Sequence, residues 1–154
     1  MCSTPAVADV PITTHVIEFP YTRTLGPVIG PFLTGLRDGE ILGIRSTDGR
    51  VLVPPTEWDP ETGMPLDPAG LVPVGPGGVV ETWAWVTAPT AKHPLAHPFA
   101  FALVKLAGAD TALMHAVDAG SIDAMSTGMR VTARFVDEPV GRITDLVFVP
   151  EERA

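Results

Sequence analysis

One cysteine, Cys2, stands in the 154 residues, so no internal disulfide can form and no set of thiolates can hold a metal. A lone thiol near the chain terminus reads as incidental. Lysine is almost as scarce, with only Lys92 and Lys105. With a net charge of −8 and a pI near 4.8, the chain lacks the clustered cationic face that a phosphate backbone selects. Aromatic residues make up 6% of the chain, too few for a platform on which bases stack. Nucleic acid is excluded as a partner on both counts. Every apolar run is broken by proline, glycine or charge well short of the roughly 18 residues needed to span a bilayer. The start, "MCSTPAVADV", has neither a basic n-region nor an apolar h-region. A cytoplasmic protein without a membrane partner is the expectation.

What is abundant is apolar residues and turn formers. The chain is 45% hydrophobic with a mean hydropathy of +0.27, enough for one domain with its own core and a small appendage. Seventeen prolines and fifteen glycines favour short strands over long helices. One helix is nonetheless clear in "GPVIGPFLTGLRDGE", where Val28, Ile29, Phe32, Leu33 and Leu36 recur at helical spacing. Pro27 and Pro31 suit its start, and Gly39 its end. A hairpin follows, "EILGIR" and "VLVPP" joined by "STDGR", with Asp48-Gly49 as the turn. The segment "TEWDPETGMPLDPAGLVPVGPGG" reads as turn and linker.

From Gly77 onward five β-rich runs succeed one another: "GVVETWAWVTAP", "HPFAFALVKLAG", "TALMHAVDA", "MRVTARFVDE" and "ITDLVFVP". In the first, Val80, Thr82, Ala84 and Val86 alternate with Val79, Glu81, Trp83 and Trp85, so the tryptophans share a face. Five short strands, with one helical turn in "GSIDAMSTGM", suggest a small closed barrel of the oligomer-binding (OB) type. Periodicity leaves the strand order open.

The ordered set "FLTGLRDGEILGIRSTDGRVLVPP", "DPETG", "GGVVETWAWV", "HPFAFALVKLAGAD", "MSTGMRVTARF" and "VFVP" resembles the DUF35 family over roughly residues 29 to 151. The resemblance implies a mainly β chain in three parts: an N-terminal extension and helix (1–39), a rubredoxin-like zinc ribbon and linker (40–75), and a five-stranded OB-fold barrel (76–154). It also implies an accessory subunit of a thiolase-superfamily enzyme handling acyl-CoA, such as the lipid-transfer-protein-like aldolases of steroid side-chain degradation. In that reading the protein is part of a hetero-oligomer, is not catalytic alone, meets acyl-CoA through its partner and carries no cofactor. The alternative is a freestanding acyl-CoA-binding protein or thioester-acting enzyme.

The family's ribbon carries two Cys-x-x-Cys knuckles, and this chain has neither. Counting back from Gly49 and Gly63 puts the ligand positions at Arg45 and Asp48, and at Asp59 and Thr62; a one-residue shortening brings Ser46 into play. Guanidinium, hydroxyl and two carboxylates are not the soft donor set that tetrahedral zinc requires. The ribbon is therefore expected to be degenerate and metal-free, with Arg45 facing Asp48 or Asp59, and Trp58 packed under the hairpin. The alternative is a plain polar loop with an incidental tryptophan.

No serine lies in a nucleophile elbow and no glycine-rich loop leads into a suitable helix. His115 sits in a strand, where one imidazole is more often packed than catalytic. His93 and His97 are each followed by proline, which disfavours a helix presenting both. With Lys92 they form the densest cationic patch of an acidic chain, in its longest loop, "TAPTAKHPLAHPFAF". Lys92, His93 and His97 are thus the candidate ligand-binding residues, and the resemblance adds a CoA arm passing near them. Phe32, Leu36 and Trp58 are the candidate partner interface, because a small barrel fills its own interior and leaves the helix and the ribbon with apolar surface to spare. No catalytic residue is assigned.

Overall fold

The structure is a computed structural model and describes residues 15–19, 22 and 24–151; Cys2 lies outside them. Among the described residues a single α-helix, α1 (Ile29–Arg37), precedes eight strands: β1 (Ile41–Arg45), β2 (Val51–Leu52), β3 (Leu71–Val74), β4 (Gly77–Val86), β5 (Phe99–Leu106), β6 (Ala112–Val117), β7 (Arg130–Phe135) and β8 (Leu146–Pro150). Among the described residues no helix is long and apolar enough to cross a membrane.

Helix α1 has no side-chain cap of its own. The carboxylate of Glu57, 28 residues downstream of Ile29, takes that role by accepting from the amides of Val28 (3.1 Å) and Ile29 (2.9 Å). A negative charge is well placed there, against unpaired donors at the positive end of the helix dipole. The other end closes with the amide of Glu40 bonded to the carbonyl of Gly35 (2.8 Å) and that of Gly39 to Leu36 (3.3 Å). Gly39 supplies the positive φ of 80° that this ending requires.

Strands β2, β1 and β3 form an antiparallel sheet with β1 in the middle. Strand β3, with Pro73 inside it, lies in the segment read from sequence as turn and linker. As an edge strand bonded only to β1, it tolerates a residue without an amide donor. Strands β4, β5, β6, β8 and β7 close into a five-stranded barrel, antiparallel except where β6 runs parallel to β8. This mainly β chain with one N-terminal helix and a closed OB-type barrel is the architecture expected from the sequence.

One detail of the barrel departs from simple alternation. Val80 pairs with Val104 and Thr82 with Leu103, which leaves Glu81 as an extra residue, a β-bulge. The inward parity changes there, from Gly78 and Val80 before the bulge to Trp83 and Trp85 after it. The two tryptophans share a face as expected, but Val80 shares it with them.

Sheet and barrel are not separate bodies. Phe32, Leu36, Ile41, Val51, Val53 and Val74 belong to the same apolar core as Val104, Leu106, Val131 and Phe148. The β5–β6 turn secures the joint: Asp110 accepts from the Val51 amide (2.8 Å), and the Thr111 hydroxyl accepts from the Val53 amide (2.7 Å) and donates to its carbonyl (3.0 Å). These bonds satisfy the free edge of β2 and leave no bare template for another strand.

Candidate functional site

The loop between β4 and β5 holds Lys92, His93 and His97. It lies over the outside of the barrel, where Phe99, Ala116 and Val147 form a small second core with Leu95 and Phe101 packed against it. His93 is part of that cover. Its ring meets Phe99 edge-on at 5.8 Å between centroids and lies 6.1 Å from Phe101. Its Nδ1 accepts from the Thr90 amide at 2.8 Å, which leaves the proton on Nε2.

His97 is tied down differently. Its Nε2 lies 3.0 Å from Asp118 Oδ1, while Arg134 donates to Oδ2 at 2.8 Å. Burial opposes ionisation of Asp118, but the hydrogen bonds from Arg134 and His97 win and hold the carboxyl below its usual value. Neither Asp118 nor Arg134 is among the residues that the sequence singles out. No local signal joins them, because the chain closes this cluster across 21 and 16 residues. Lys92 is exposed in the same loop.

His115 is the buried histidine. Its Nδ1 accepts from the Ala116 amide (2.8 Å), so Nε2 carries the proton and donates to the Ile143 carbonyl (2.9 Å). Burial pushes its pKa down. Neutral and bonded at both nitrogens, it has no free lone pair with which to act as a base. A shallow apolar cavity of about 190 Å³ opens beside it, lined by Pro94, Phe101, Met114 and Ile143. Asp145 is likewise structural: one oxygen accepts from the amides of Val140, Gly141 and Arg142 at 2.7 to 2.8 Å, which lowers its pKa. That turn sets Gly141, at φ 88°, against the Leu33 carbonyl of α1.

Helix α1 and the segment expected to be a degenerate ribbon, residues 40–75, differ from expectation in three ways. Arg45 is exposed and pairs with neither aspartate. Arg50 pairs with Asp48 (2.6 Å) and Glu61, and Ser46 and Thr47 engage Asp59. The residue after the turn, Arg50, pairs across both turns, whereas Arg45, before it, is exposed. Trp58 is not packed under the hairpin but 60% exposed, and Met64, at 58%, is exposed on the same short segment. Trp58 forms an antiparallel bridge with Pro65, flanked by bonds from the Asp59 amide to the Met64 carbonyl and from the Leu66 amide to the Glu57 carbonyl. Glu57 and Asp59 face the protein, and Trp58 faces out. Finally, Phe32 and Leu36 are 4% and 0% exposed. The sheet β1–β3 and the barrel cover the helix face that was expected to be spare, which leaves Trp58 as the exposed member of the candidate interface.

The four knuckle positions do not suit a metal. The Asp48 carboxylate is held through both oxygens by the amide and Nε of Arg50. Both oxygens of Asp59 accept hydrogen bonds. Thr62 gives its amide to Asp59, and a guanidinium is no ligand.

Residues 71–136 match the family described as the C-terminal OB-fold domain of ChsH2. A chain of the Ltp2-ChsH2(DUF35) aldolase superposes with a TM-score of 0.61 at 18% identity, over 84% of this chain and 98% of that one. A DUF35-family protein of unknown function from Sulfolobus solfataricus does so with a TM-score of 0.60 at 17% identity, over 82% and 87%. No curated protein matches the chain significantly. Residues 71–136 are thus similar to the C-terminal OB-fold domain of ChsH2, within a chain that has the fold seen in DUF35 proteins.

Proposed function

We propose that this protein is a non-catalytic subunit that binds and stabilises a thiolase-superfamily enzyme acting on acyl-CoA. The partner is best read as a retro-aldolase or thiolase of steroid side-chain breakdown, in a cytoplasmic hetero-oligomer. The observation that carries the reading is the likeness to a chain of the Ltp2-ChsH2(DUF35) aldolase over 98% of that chain, helix, ribbon and barrel together. The chemistry of the chain agrees with it. The imidazoles of His93 and His115 are committed to packing and backbone bonds, whereas a nucleophile or general base needs a free lone pair within reach of substrate. In this reading Trp58 and Met64 offer an exposed apolar contact, and the Lys92–His97 loop stands near the CoA ester.

A second reading, a freestanding thioester-acting enzyme, draws on one feature: His97 is hydrogen-bonded to a carboxylate and half exposed, as a general base would be. Co-expression with a thiolase-like enzyme separates the two. The accessory reading expects the chain to co-purify with that enzyme and the pair to turn over acyl-CoA, with Trp58→Ala weakening the complex while circular dichroism stays native. A monomer that turns over acyl-CoA alone would overthrow it.

A further inference from the structure

The buried carboxylate of Asp59, 1% exposed, is the most heavily bonded side chain among the described residues. Oδ2 accepts from the Ser46 hydroxyl (2.5 Å), the Thr47 hydroxyl (2.9 Å) and the Thr47 amide (3.0 Å). Oδ1 accepts from the amides of Glu61 (2.9 Å) and Thr62 (3.0 Å). Three donors come from the first turn of the ribbon, residues 46–50, and two from the second, residues 59–63. Each turn is closed by a glycine at positive φ, Gly49 at 89° and Gly63 at 68°. A zinc ion between two knuckles joins two such turns through four bonds to one centre. Here the centre is an anion and the turns present donors to it, so the polarity of the joint is inverted.

We infer that Asp59 replaces the structural metal of the ribbon: one carboxylate fastens the two turns, and the site binds no divalent cation. The inversion makes the two solutions exclusive. A cation placed among the Ser46, Thr47, Glu61 and Thr62 donors would meet the positive ends of three N–H groups, and Asp59 has no lone-pair direction left to offer it. Arg50 pairs with Asp48 and Glu61 across the same two turns and so occupies the two neighbouring carboxylates that a cation would need. The fastening also orients its surroundings. Asp59 fixed inward forces Trp58 outward and Glu57 onto the start of α1, so one joint sets the helix cap and the exposed tryptophan together.

The test uses the full-length protein and does not depend on finding its partner. Elemental analysis after dialysis against zinc is expected to give well under one equivalent, and a chelator is expected to leave the melting temperature unchanged. Asp59→Asn keeps the shape but turns an acceptor into an amide. Hydrogen exchange at the amides of Thr47, Glu61 and Thr62 is then expected to quicken by about tenfold or more, the scale of one bond to a charged group, with the barrel amides of β5 far less affected. Ser46→Ala leaves the charge and removes one donor, and should quicken the same three amides by less; it carries the test if Asp59→Asn does not fold. Stoichiometric zinc held by residues 45 to 63 would overturn the inference. So would turn amides that exchange at the wild-type rate in both variants.

Discussion

The ribbon and the barrel solve the same problem with opposite chemistry. The barrel is held from inside, by Val80, Val104, Leu146 and Phe148, all fully buried, and its strand ladders need nothing from their turns. The ribbon has a two-residue strand, β2, and a proline-containing edge, β3, too little sheet for independent stability. Its distal end is fixed by polar groups: Asp59 between the turns, Arg50 across them and Glu57 on the helix. Apolar area is non-directional and tolerates drift, whereas hydrogen bonds to a buried carboxylate are directional and fail when one partner moves. A small appendage with only a modest apolar cluster of its own, Ile44, Leu52 and Leu66 beside Val28, can still be well defined if its turns converge on one charge.

The contrast breaks where the two regions share a core, and the largest effect is expected there. Phe32 belongs to the helix by sequence but to the common interior by contact. Phe32→Asp removes a ring whose truncation alone typically costs about 3–5 kcal/mol and leaves a carboxylate in its place. Chemical denaturation should show a single transition shifted by at least that amount, seen alike by tryptophan fluorescence and by circular dichroism. Two separate transitions, with the barrel unaffected, would mean that helix and ribbon are an independent unit.

An intermediate effect should come from acid, and it sharpens the comparison by charge. Asp59 is held far below the usual carboxylate range by the Ser46 hydroxyl and the Thr47 and Thr62 amides, and Asp118 and Asp145 are lowered too. A depressed folded pKa contributes stability that is fully present above the unfolded value, about 3.9. It is lost as pH falls below that value towards the folded one, because only the unfolded chain takes up the proton. Denaturation midpoints should fall gently from pH 7 to about pH 5, where only the unfolded chain protonates the buried His115, and more steeply below about pH 4. Asp59→Asn, less stable at pH 7, should lose less on the same descent. Parallel curves for the two proteins would show that the acid sensitivity lies elsewhere.

The regular parts were legible and the joints were not. Helical spacing of Phe32, Leu33 and Leu36 gave α1 to within about a residue, and five alternating runs gave the barrel, because both follow from local periodicity. The parity change at Glu81 was hidden, since a bulge depends on the partner strand. Strand β3 was hidden because its pairing with β1 overrides the local meaning of Pro73. For Asp59 the sequence held half the answer: "DPETG" is a turn in which an aspartate bonds the amides two and three residues on. Its other oxygen meets Ser46 and Thr47 across 13 and 12 residues, a distance that no periodicity spans. The same holds for the missing cap of α1, whose start carries no Ser, Thr, Asp or Asn and so needed an acceptor from elsewhere.

The smallest effect is expected at the loop that joins β4 to β5, and it bears on which region meets the ligand. His93 covers Phe99 and Phe101, and His97 is fastened to Asp118, so both are first of all anchors of that loop. If the partner supplies the chemistry, replacing both by alanine loosens the loop and with it the approach of the CoA ester. The apparent KM of the reconstituted complex should then rise while kcat at saturation falls less than about tenfold, since loss of a general base would cost about 10²–10⁴-fold. The pH profile adds a readout that loosening cannot imitate. An anchoring pair leaves the limbs of kcat against pH in place, whereas a base oriented by Asp118 would remove one, and Asp118→Asn would do the same with both histidines intact. A thousandfold fall in kcat with the complex intact by size-exclusion chromatography would move the chemistry onto this chain and make His97, rather than the exposed Trp58 of the ribbon, the centre of its function.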